Sequence, residues 1–163
     1  MSECPVSWSD IRGAVQDFVR LIEEGAGAVS ENEACLPLLL DRLAFNQHYV
    51  INTFDEIHYP DPPERDHAVL YVLYALICDR FPNYGYYNVP ASITGRIGDS
   101  DCIVGDAIDD LLDIYCELVD VGWRWSHTSE SDALWHLQFS FRSHWRGHLR
   151  GIQFYLDALE FDQ

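Results

Sequence analysis

The segment FSFRSHWRGH, residues 139–148, sets His144 and His148 four residues apart with Arg142, Trp145 and Arg146 around them. On a helix that spacing brings both imidazoles to one face, where a pair can chelate a metal ion. The motif is incomplete by itself, because a metal needs a third and fourth ligand. The H-E-x-x-H pattern is absent, since Trp145 follows His144. Projected at about 100° per residue, Leu134, Phe141, Trp145, Leu149, Ile152, Leu156 and Leu159 form one apolar stripe. His148 points almost with Phe141, His144 falls at the stripe's edge, and His136 points opposite Trp145, towards solvent. The expectation is a buried His148 whose ring nitrogens meet backbone or carboxylate groups, with no metal and no cofactor. Trp145 is then a packing anchor, and Gly147 lets a neighbour approach closely.

The second candidate is GDAIDDLLDIYCELVD, residues 105–120, which contains D-D-x-x-D at Asp109, Asp110 and Asp113. Such a string can bind magnesium carried by a diphosphate, but 163 residues are too few to enclose a prenyl diphosphate as a synthase does. Val104, Ile108, Leu111, Tyr115, Leu118, Gly122 and Trp125 share a helical face. Asp106, Asp109, Asp113, Glu117 and Asp120 lie on the other side, with Asp110 at the margin. The expectation is that these carboxylates point outward. Almost no basic residue stands at i±4 to support them, and aspartate is a poor helix former. A basic protein partner would compensate.

The third candidate is FPNYGYYNVPASITGRIGDS, residues 81–100, rich in Gly and Pro and without helical period. Structureless stretches of about 20 residues are uncommon in compact domains and are often functional. Tyr84, Tyr86 and Tyr87 are candidates to line a pocket together with His144 and His148, or else to cover one end of the core.

Elements that would position these groups follow from caps and periodicity. Ser7-x-x-Asp10, Ser30-x-x-Glu33, Asp61-x-x-Glu64 and Ser129-x-x-Asp132 resemble capping boxes. They mark five helices at roughly 9–24, 32–53, 62–80, 101–126 and 130–160. Pro62 suits a first helical position, and Pro37 kinks the second helix or delays its start. The third helix, apolar nearly all round over 68–78, is expected to be central. No stretch alternates as a strand does. The fold expected is all-α, a five-helix bundle with one long ordered loop at about 81–100, forming a single domain over 1–163.

Composition narrows the function classes. Apolar residues make up 48% and aromatics 13%, enough for a globular core. Ten Lys and Arg against 27 Asp and Glu give a formal charge of −17. That disfavours nucleic acid and anionic membrane surfaces and suits a basic partner. Five scattered cysteines without C-x-x-C suggest reduced thiols in a cytoplasmic protein. The start MSECPVSWSD does not read as a signal peptide, and the longest apolar run, eleven residues, falls short of a membrane span of about 20.

YYNVPASITGRIGDSDCIVGDAIDDLLDIYCELVDVGWRW followed by ALWHLQFSFRSHWRGHLRGIQFYL resembles the bacterial family designated domain of unknown function 5063. The likeness spans roughly 84–156: a tyrosine loop, the D-D-x-x-D-I helix and the H-W-x-x-H turn, in that order. It implies a small intracellular helical domain and places Asp109, Asp110, Asp113, His144, Trp145 and His148 in one constellation. It carries no established activity, so no catalytic role is transferred.

Three functions compete. One is a non-enzymatic protein, of immunity or adaptor type, that docks a basic partner through Asp106, Asp109, Asp110, Asp113, Glu117 and Asp120. Another is a metal-dependent hydrolase with carboxylates and His144/His148 around a divalent ion. The last is a small-ligand binder using the tyrosine loop as a lid. Nucleophilic and phosphate-loop chemistry are disfavoured: there is no G-x-S-x-G, and GRIGD lacks the P-loop lysine.

Overall fold

The computed structural model describes residues 6–50 and 56–161. The chain is mostly helical, with a small two-stranded sheet. Its elements are α1 (Trp8–Glu23), α2 (Val29–Asn46), α3 (His67–Arg80), β1 (Tyr86–Pro90), β2 (Cys102–Asp106), α4 (Ala107–His127), α5 (Glu130–Ser140) and α6 (Arg146–Phe161). A π-helical turn, Phe141–Trp145, joins α5 to α6. The stretch expected as one helix at 130–160 is therefore α5, the π turn and α6 in succession.

The caps read from sequence hold at two of four places. Ser7 accepts from the Asp10 N–H while Asp10 accepts from the Ser7 N–H, and the Ser129 hydroxyl accepts from the Asp132 N–H. α2 begins earlier than expected, where the Glu31 carboxylate accepts from the Ala28 N–H, and Pro37 lies inside it. α3 begins later than expected, capped by Asp66, because Asp61 is drawn off to Arg124. α2 ends at Asn46, short of the 53 that periodicity suggests, and 51–55 lie outside the described residues.

The loop at 81–100 and the start of the expected fourth helix are corrected together. Residues 86–90 pair antiparallel with 102–106, Asn88 opposite Val104. Ile103 and Val104 are β-branched and suit a strand, but five residues are too few for alternation to show. Val104 consequently leaves the apolar face assigned to it and is exposed. Since α4 starts at Ala107, Asp109 and Asp110 fall in its first turn and Asp106 caps it. The helix dipole favours carboxylates there, so they lose the cost expected of a mid-helix acidic run.

α4, rather than α3, is central: it packs on α1, α3, α5 and α6. Of α3 only Ile77 is fully buried, and Tyr71 and Val72 are exposed. The buried apolar residues form one core cluster, and Trp145, Phe18 and Phe81 are the largest side chains wholly inside it. Each such side chain contributes about 1.5–3 kcal/mol by leaving water. Among the described residues no helix is long and apolar enough to cross a membrane, and Cys35, Cys78, Cys102 and Cys116 are free thiols.

Candidate functional site

α4 and α6 pack side by side, and their facing residues bring the acidic string onto the histidine pair. Asp110 is buried, contrary to its expected place at an outward margin. Its Oδ1 lies 2.7 Å from His148 Nδ1, and its Oδ2 accepts from the Tyr87 hydroxyl. A carboxylate only accepts, so Nδ1 of His148 carries the proton. Nε2 then faces Asp113, whose Oδ2 is 3.3 Å away. Asp110 is the first cause that raises the His148 pKa above its usual value, opposed by burial and aided by Asp113. Two acceptors that close need a cation between them, a proton or a metal ion.

One turn earlier the arrangement repeats. His144 Nδ1 lies 2.8 Å from Glu117 Oε1, which leaves its Nε2 free. The two imidazoles meet edge to face at 5.0 Å. Glu117 also lies 4.0 Å from His136, which is sheltered rather than solvent-directed as expected. Burial, then Arg124, lowers the His136 pKa. A carboxylate that holds one ring nitrogen and leaves the other open is the arrangement that orients metal-binding imidazoles. One donor atom each from Asp113, His144 and His148 lie within 4.8 Å of one another. A tetrahedral ion with bonds near 2.0–2.2 Å could be held after small rotations of these half-exposed side chains. The π turn that carries His144 adds a residue to one turn of helix, a deviation often found at functional sites.

Two glycines make room for Tyr87. A Cβ on Gly151 of α6 would collide with the Tyr87 hydroxyl, and one on Gly105 of β2 would stand 2.6 Å from its ring. Only with both positions bare does the phenol reach Asp110 while stacking on Tyr155 at 5.1 Å. Burial and the bond to Asp110 raise the Tyr87 pKa, so it remains a donor. Gly147, expected to allow close approach, faces open space. The helical period places 147 and 151 on one side, but only the second meets the hairpin.

The other candidates separate. Asp106 caps α4 and accepts from Tyr74, while Asp120 pairs with Arg65. Asp109 stays exposed at the rim, its pKa raised by burial and then by Asp113. Tyr84 packs between Phe81 and Tyr155, and Tyr86 lies on the outer face of the hairpin, 73% exposed. The three tyrosines therefore share no pocket with the histidines. Tyr87 alone reaches the site. Glu117, a sequence candidate only for an outward docking face, is the partner of His144; Gly105 and Gly151, the slot for Tyr87, carry no sequence signal as site residues, because each depends on packing between distant elements.

No family model matches the chain, and no curated protein matches it. Its fold is similar to the crystal structure of protein BF1032 from Bacteroides fragilis, with a TM-score of 0.73. The alignment covers 93% of this chain and 90% of that one at 14% identity, a likeness of fold alone.

Proposed function

We propose that this protein is a metal-dependent hydrolase whose divalent ion is held by Asp113, His144 and His148. The observation that carries the reading is His148 itself. Asp110 fixes its Nδ1 proton, and its Nε2 faces a second carboxylate at 3.3 Å. Three protein ligands leave a coordination position for water, the pattern of catalytic rather than structural sites. The ion would supply a nucleophilic hydroxide near neutral pH. Asp109, exposed at the rim and with a raised pKa, is the spare carboxylate suited to take the proton. Imidazole with carboxylate favours zinc or a neighbouring transition metal over magnesium or calcium.

The test is elemental analysis after incubation with zinc and desalting. About one equivalent per chain is expected, with none retained by His148→Ala or Asp113→Ala. Equal retention by the variants would overturn the site. Stoichiometric metal without hydrolysis of activated phosphate or carboxylate esters would overturn the hydrolase while leaving the site.

A second reading, docking of a basic partner in a reducing cytoplasm, draws on the charge of −17 and the free thiols. It has less support at 106–120. Of the six carboxylates proposed as a docking face, all but Asp109 are engaged by groups of this chain. Membership of the family resembled at 84–156 is likewise a proposal.

A further inference from the structure

On the side of the π turn and α6 away from the histidines, Arg142, Arg146 and Arg150 follow at i, i+4 and i+8. They line one cleft of about 480 Å³ with Gln47, His48 and Phe141. Every cationic residue of Lys or Arg type in this chain is arginine, ten in all, and most are already spent. Five pair with carboxylates, Arg80 spans the carbonyls that end α1, and Arg12 lies over Trp125. Arg142 and Arg146 have no hydrogen-bond or ion partner among the described residues, and Arg150 donates only to the neutral Gln153.

Three like charges at helical spacing repel one another. In a chain with 27 acidic residues, a cleft with three arginines and no carboxylate in its lining stands apart. Gln47 gives an independent indication. Gln47 lines this cleft, and both polar atoms of its amide are shut away from solvent without a partner; such groups normally find one.

We propose that this cleft binds a small organic phosphate, a phosphate monoester joined to a planar group that presents a donor–acceptor edge. Guanidinium groups match phosphate oxygens two at a time, which a lone lysine does not. The Gln47 amide, once turned into the cleft, matches an edge that both donates and accepts a hydrogen bond, as glutamine does with adenine. Phe141 and Val50 supply the apolar wall for the planar group. The volume lies within the range of roughly 300–1,000 Å³ usual for small-ligand sites. The cleft is separate from the carboxylate–histidine cluster, so binding here needs no metal.

Adenosine monophosphate and inorganic phosphate are the probes, in EDTA-treated protein at fixed ionic strength. Thermal unfolding and calorimetry are the readouts. Adenosine monophosphate is expected to bind once per chain and to raise Tm by about 5–10 °C at roughly a hundred times Kd. Inorganic phosphate binds more weakly. Arg142→Gln or Arg146→Gln, at exposed positions where folding is preserved, weakens both probes by about tenfold. Gln47→Met weakens the nucleotide only. Asp113→Asn changes neither, which separates this site from the proposed metal centre. Binding by neither probe, or undiminished binding by the arginine variants, would overturn the proposal. Binding of inorganic phosphate without the nucleotide would overturn its assignment to an organic phosphate.

Discussion

Two glycines on one helix, four residues apart, are expected to respond with opposite sign to the same substitution. A Cβ on Gly147 meets nothing within 4 Å, so Gly147→Ala gains helix propensity and stabilises by about 0.5–1 kcal/mol. Gly151→Ala gains the same propensity but drives the Tyr87 hydroxyl off Asp110. A hydrogen bond to a charged group contributes about 1.5–3 kcal/mol, and the stacking on Tyr155 adds about 0.5–1.5 kcal/mol. The net expectation is a loss of about 1–4 kcal/mol. For a chain of this size that is a Tm raised by about 1–4 °C in one variant and lowered by about 2–16 °C in the other. The cause is isolated by a cycle with Tyr87→Phe. Once the hydroxyl is gone, the nearest ring carbon stands 3.5 Å from the new methyl, an ordinary contact. Gly151→Ala should then be neutral or stabilising, with a coupling of about 2–4 kcal/mol. Urea unfolding of the four proteins measures it. Equal effects at the two glycines, or additivity with Tyr87→Phe, would refute the slot.

Without metal, stability should peak near neutrality. His148 has a raised folded pKa, so its contribution is complete below about pH 6.5 and is lost as pH rises through the folded value. Melting in EDTA between pH 6 and 9 should show that decline, and His148→Gln should remove it. His136 has a lowered folded pKa, so its contribution holds above about pH 6.5 and is lost as pH falls through the folded value. Asp132→Ala strands the Arg124 guanidinium, which is 8% exposed and otherwise keeps only the exposed Asp61. A loss of about 3 kcal/mol is expected, readable in urea, and Arg124→Met in the same chain should restore much of it.

Local chemistry was legible and cross-chain pairing was not. Ser7 and Ser129 cap helices by contacts three residues away, which spacing alone reveals. The stripe through Trp145, Leu149 and Ile152 is buried as helical period requires. Asp61 had the form of a cap, but a buried arginine at position 124 competes for it, and no local pattern records that. The hairpin leaves no local pattern, because Asn88 and Val104 meet across an eleven-residue loop. Once β2 ends at Asp106, α4 starts six residues later than periodicity suggested. Of the acidic string, Asp110 and Asp113 face His148 of α6, while Asp109 stays exposed. The histidine pair is legible from spacing, and the family resemblance groups it with Asp110 and Asp113; Glu117 joins it only through the packing of α4 on α6.

The central claim is that a metal ion joins Nε2 of His148 to Asp113. Crystals grown with zinc and measured on both sides of its absorption edge test it most directly. An anomalous peak bonded to Asp113, His144 and His148 at about 2.0–2.2 Å is expected. Density with no such peak, and Nε2 of His148 hydrogen-bonded straight to Asp113, would contradict it.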